Sequence, residues 1–63
     1  MYHRNAGDAF NDAIRRGFLS ETPGHPTYAG DFMYIHSEDS PRSEDTFNHV
    51  KTRQYLWVPR VPS

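Results

Sequence analysis

Apolar positions along the first third of the chain repeat at three- and four-residue spacing: Ala6, Ala9, Phe10, Ala13, Ile14 and Phe18. That period places them on one face of an amphipathic helix over residues 6–16. Asp8, Asn11, Asp12, Arg15 and Arg16 fill the opposite face, with acids early and arginines late, as the helix dipole favours. Asn5 is positioned to cap the start, and Asp12 and Arg16 form a favourable four-residue pair. Gly17 reads as a left-handed stop, with Phe18 folding back onto the last turn.

After the helix the periodicity stops. Residues 20–30, SETPGHPTYAG, hold two prolines and two glycines, a composition that excludes helix and central strand. The segment is a connector, in which Tyr28 can pin the loop to the core. Alternation then takes over: DFMYIH (31–36) and TFNHVK (46–51) read as strands around the polar, turn-forming SEDSPRSED, giving a hairpin with a long acidic tip. QYLWV (54–58) reads as a third strand after a bend at Thr52 and Arg53, and Pro59 and Pro62 end regular pairing. The tail beyond Val58 is expected to be extended or frayed. The long tip permits hairpin pairings one residue apart, which set Tyr34 or Met33 opposite His49.

The expected fold class is therefore α+β: a single small domain over 1–63, with one amphipathic helix packed on a small antiparallel sheet of two or three strands. Composition adjusts this picture. A 63-residue chain with 35% hydrophobic residues can build only a thin core, yet its apolar content is concentrated in four Phe, four Tyr and Trp57. Nine aromatic rings exceed what such an interior holds, so some face outward. Tyr2, Tyr28, Tyr34, Tyr55 and Trp57, with Arg53 beside them, are candidates for partner contact, because exposed Tyr, Trp and Arg dominate protein–protein hot spots.

Net charge is −1, but its distribution is uneven: about +1 over residues 1–20, −5 over 21–46 and +3 over 47–63. Neither the strong basic excess of a nucleic-acid binder nor the heavy acidity of a nucleic-acid mimic is present. Glu38, Asp39, Glu44 and Asp45 on the expected tip can present a focused negative field to a basic groove, against the alternative of a merely solvated turn. Lys51 and Arg53, interleaved with Tyr55 and Trp57, supply the cation and ring combination that grips single-stranded nucleic acid; the competing reading is a strand whose Tyr55 or Trp57 packs on the helix.

The absence of cysteine excludes disulfides, thiolate zinc sites and a cysteine nucleophile. It also favours a cytoplasmic location, as does the lack of a long apolar run or an apolar leader after Met1. His3, His25, His36 and His49 match no metal-binding spacing. A metal shell would require the hairpin to join His36 to His49, with Asp31 or Asp39 completing it. No nucleophile elbow or glycine-rich phosphate loop occurs, His36 with Glu38 being the best acid–base pair on offer, so neither enzymatic activity nor a cofactor is expected.

The stretch from Gly30 to Leu56, GDFMYIHSEDSPRSEDTFNHVKTRQYL, follows a helix ending in RRGFLS. It resembles the small uncharacterised proteins encoded by tailed bacteriophages in its order of aromatic strand, polar turn, Phe-x-His strand and Thr-Arg-x-Tyr-Leu. The resemblance implies a compact protein that binds and inhibits or redirects a host machine in the host cytoplasm. It carries over no site residue.

The leading expectation is a non-enzymatic protein-interaction module with a larger protein partner, contacted through Tyr34, Glu38, Asp39, Arg53, Tyr55 and Trp57. The alternative is a small single-stranded nucleic-acid-binding domain. A homodimer through an unpaired sheet edge is a further option, and no membrane role is expected.

Overall fold

A computed structural model describes residues 5–39 and 43–60 of the chain; Tyr2, His3, Pro41 and Pro62 lie outside them. The architecture is α+β, with one helix packed against a three-stranded antiparallel sheet in the order β1-β2-β3. Helix α1 spans Ala6–Arg15. The Asn5 side chain caps it, accepting from the backbone N–H of Gly7 at 2.8 Å and of Asp8 at 3.3 Å, which satisfies two of the donors left free at a helix start. Gly17 ends it at φ +88°: Phe18 N–H reaches the Ala13 carbonyl and Gly17 N–H that of Ile14, the paired bonds of a Schellman turn. Ala9 and Ala13 are buried from the predicted apolar face; Ala6, one turn earlier, is exposed.

The connector makes more local structure than its composition suggested. Ser20 and Tyr28 form an isolated parallel bridge, and Ala29–Asp31 is a single 3₁₀ turn. The Tyr28 ring lies across Gly30, where a Cβ would sit only 2.6 Å from its Cε2, so Gly30 is the residue that gives the ring its place.

The strands are β1 (Phe32–Glu38), β2 (Glu44–His49) and β3 (Tyr55–Pro59). The β1–β2 hairpin is longer than the sequence suggested and its tip correspondingly shorter. Glu38 and Glu44 are paired strand residues, whereas Val50 and Lys51 belong to the turn that leads to β3. Neither expected register forms. Phe32 stands opposite His49, and a bulge between Tyr34 and His36 leaves Ile35 as an extra residue. The bulge changes which residues face the core: simple alternation from Phe32 and Tyr34 would aim His36 inward, but one added residue brings Ser37 in instead, fully buried opposite Asp45.

The buried apolar core among the described residues is small: Ala9, Ala13, Leu19, Phe47 and Val58. Phe47, on the central strand, is its hub. The Phe10 ring packs 4.9 Å from it and the Tyr34 ring 5.8 Å, and both are inclined to it as aromatic quadrupoles prefer.

Beside this core runs a buried polar chain. Tyr34 Oη and Ser37 Oγ are 2.5 Å apart, Ser37 Oγ donates to Asp45 Oδ1 at 2.5 Å, and Arg60 Nη1 donates to the same oxygen at 2.9 Å. Arg60 also donates to the carbonyls of Glu44 and Glu38, and its backbone N–H reaches Ser43. The segment after Val58 is thus pinned at Arg60 rather than frayed, because a buried carboxylate requires a cation and Arg60 supplies it.

At the end of α1, Arg16 binds Asp12 at 3.0 Å and donates to the Pro59 carbonyl at 2.5 Å, fastening the helix to the end of β3. Arg15 also pairs with Asp12. Partial burial raises the Asp12 pKa, but the hydrogen bonds from Arg16 and Arg15 outweigh it and hold the carboxyl below its ordinary value of 3.8.

Arg60→Ala removes the guanidinium that pairs with buried Asp45 and binds the carbonyls of Glu38 and Glu44, at a cost of about 3 kcal/mol. In a domain whose total stability is of order 5 kcal/mol, this should show in urea titration by circular dichroism as a midpoint lowered by more than half, with the chain still mostly folded before denaturant is added. For Asp12 the folded pKa is the lower one, so its stabilising contribution is complete above the unfolded value and disappears as pH falls through the folded one. Asp12→Asn should therefore lower the urea midpoint at about pH 7 and have little further effect at about pH 2.

Candidate functional site

The residues left on the far side of the sheet from α1 define the candidate site. Helix-facing positions are Phe32, Tyr34 and Ser37 on β1, Asp45 and Phe47 on β2, and Leu56 and Val58 on β3. The opposite face is ordered by pairing into rows across the strands. Nearest the β2–β3 turn are Met33, Asn48 and Tyr55; in the middle are Ile35 and His36, Thr46 and Trp57; nearest the hairpin tip are Glu38, Glu44 and Pro59. On the central strand Thr46 and Asn48 are buried beneath their neighbours, which leaves the edge-strand side chains prominent.

Four of these are large, apolar and close to half exposed: Met33 at 48%, Ile35 at 43%, Tyr55 at 57% and Trp57 at 53%. The Tyr55 and Trp57 rings lie 5.6 Å apart and within 23° of parallel. Scattered exposed apolar residues are ordinary, but here four stand on one face of a small sheet, two on each edge strand.

The two ends of this face differ in charge. Toward the hairpin tip stand Glu38, Glu44 and the exposed Asp39, which lies 3.6 Å from Arg60. His36 Nε2 is 3.7 Å from the Glu38 carboxylate. At the other end Lys51 and Arg53 are exposed on the β2–β3 turn. That turn is tightly built. His49 Nδ1 accepts from the N–H groups of Lys51 and Thr52, Arg53 N–H reaches the His49 carbonyl, and Asn48 Nδ2 reaches the carbonyl of Arg53. These bonds hold Arg53 at φ +64°, a left-handed conformation uncommon outside glycine, asparagine and aspartate.

The sequence candidates fall in several places. Tyr55 and Trp57 share the open face, so they do not pack on the helix; Leu56 and Val58 do so instead. Glu38 and Asp39 lie at the acidic end and Arg53 at the basic end. Tyr34 stands apart, half-buried on the helix side with its hydroxyl bound to Ser37. The four-acid tip is also reduced, since Asp45 is fully buried on the helix side and paired with Arg60.

His36 and His49 do not meet. His36 is opposite Thr46, His49 is opposite Phe32 with its ring 5.0 Å from the phenyl group, and its Nδ1 is occupied by the turn. Among the described residues no cluster of three or more His, Asp or Glu is placed to hold a metal ion. Nor is any helix among them long and apolar enough to cross a membrane.

Met33 and Ile35 were not among the sequence candidates. Their signal is present in the alternation of β1, but they join Tyr55 and Trp57 only when strand order and register are known. Arg60 had no signal beyond being an isolated cation between two prolines.

Comparison with protein-family models, with curated proteins and with solved structures finds no match for this chain.

Because Trp57 is the sole tryptophan, its emission reports directly on this face. It is expected toward the wavelength of tryptophan in water and to be quenched by acrylamide, and Trp57→Ala should destabilise by about 1 kcal/mol or more, because the ring is about half buried and stacks on Tyr55. A blue-shifted, protected emission would show the ring to be packed.

Proposed function

We propose that this chain is a non-enzymatic interaction module that docks on a larger protein through the open face of its sheet. The supporting observation is the exposure of Met33, Ile35, Tyr55 and Trp57 together on the side away from α1. Rigid aromatic rings offer large contact area at small entropic cost, and Tyr and Trp are enriched among residues that dominate binding energy. The strands hold these side chains in fixed positions before any partner arrives, which limits the ordering cost of association. Glu38, Asp39 and Glu44 at one end favour a partner with a basic region beside an apolar one. Taken with the resemblance to small phage proteins, the partner is a host macromolecular machine that the chain inhibits or redirects in the host cytoplasm.

A second reading has its own support. The near-parallel rings of Tyr55 and Trp57 lie close to the turn that carries Lys51 and Arg53, and stacking beside cations is how single-stranded nucleic acid is held without sequence preference. Two cations are few for a phosphate backbone, and the three acids at the other end of the face repel it. Protein docking is the better-supported reading.

The experiment compares immobilised wild-type chain with Tyr55→Ala/Trp57→Ala and with Glu38→Lys/Asp39→Lys as baits in lysate of the source or host cell. Proteins retained by the wild type should be lost with the aromatic variant, with affinity reduced tenfold or more, and weakened with the charge variant. Equal recovery on all three baits overturns the reading. Titration with single-stranded DNA and RNA is run in parallel. Quenching of Trp57 that is strong at about 50 mM salt and fades by about 200 mM would assign the face to nucleic acid instead.

A further inference from the structure

The open face carries an acidic end, an apolar middle and a basic end, and a copy of the same face turned end for end presents their complements in the same order. We propose that the chain self-associates reversibly by packing this face on that of a second copy, with the strands of the two copies running in opposite directions. The proposal rests on the docking reading in taking this face as the interaction surface. It adds that a second copy is an occupant and therefore competes with any other partner.

Charge order selects the arrangement. With the two-fold axis lying between the sheets and across the strands, Lys51 and Arg53 of one copy approach Glu38 and Glu44 of the other, and the reverse contact follows by symmetry. A two-fold axis along the strands brings like ends together and is disfavoured.

The isolated chain leaves these charges ready for such a role. Glu38 and Glu44 are directly paired across β1 and β2, where like charges destabilise a sheet. Among the described residues, the Glu44 carboxylate has no ion-pair partner, and Lys51 and Arg53 form no ion pair. The net charge of −1 means that two copies meet with little long-range repulsion.

Area limits the strength of association. A stable complex buries about 800 Å² per partner, and the exposed parts of Met33, Ile35, Tyr55 and Trp57 supply only about half of that. The dimer is therefore weak and concentration-dependent.

Sedimentation equilibrium on the purified chain tests the proposal. The average mass should correspond to one chain at about 10 µM and rise toward two chains at about 1 mM, and the rise should diminish as salt screens the end contacts. Lys51→Glu/Arg53→Asp makes both ends of the face acidic, and Glu38→Lys/Glu44→Lys makes both ends basic. Each variant alone should lose association tenfold or more, while an equimolar mixture should regain it as a heterodimer. Trp57→Ala, which leaves every charge in place, should also weaken association. A wild type that stays at the mass of one chain at 1 mM overturns the proposal, as do charge variants that each self-associate as well as the wild type. A monomeric wild type that still loses its lysate partners on Tyr55→Ala/Trp57→Ala overturns self-association and leaves the docking reading standing.

Discussion

The buried carboxylate of Asp45 is the constraint around which the sheet is organised. An ionised group with no solvent exposure must be met by a cation and by hydrogen bonds, and here Arg60 and Ser37 provide them. Each partner comes from a different strand or its extension. Ser37 reaches inward only because the extra residue at Ile35 shifts the phase of β1, and Arg60 arrives only because β3 continues alongside β2 as far as Pro59. A buried ion pair is a poor source of net stability, but it is costly to break, which makes it a strong selector of one pairing over its neighbours. In a hairpin whose tip allows slippage, such a selector has an evident use.

The helix is held by a related device on a smaller scale. Its apolar contribution comes from two buried alanines and from half-buried Phe10 and Ile14, a modest surface for one helix. Asp12 is engaged by two arginines, and Arg16 passes on to the carbonyl of Pro59 while its guanidinium also stands 5.2 Å from the Phe18 ring. Polar ties at the periphery thus supplement a core too small to fix the helix orientation alone. Both ties end in the same short stretch, Pro59 and Arg60, so these residues join helix, hairpin and third strand.

Concentrating the apolar contacts on one side has a consequence for function. Phe47, Val58 and Leu56 satisfy the helix side, while Tyr55 and Trp57, alternating with them along β3, are turned outward with Met33 and Ile35. Among the described residues, one helix of ten residues covers one face of the sheet, and the large apolar side chains on the other stay about half exposed. The exposed aromatic rings are therefore a direct result of the layer count.

Local signals in the sequence determined the helix with its Asn5 cap and Gly17 stop, the hairpin strands with a candidate third, and the α+β class, because capping, periodicity and turn chemistry operate over a few residues. The number of aromatic rings required some to face outward, with Tyr55 and Trp57 among five candidates. Tertiary structure decided the rest. The bulge at Ile35, the inward turn of Ser37, the removal of Tyr34 and Asp45 from the candidate surface and the union of Met33 with Trp57 all depend on which strand lies beside which, and in what register. Arg60 shows the difference most plainly: one arginine between two prolines carries no local signature, and its role arises only when a buried acid fifteen residues earlier in the chain requires a counter-charge.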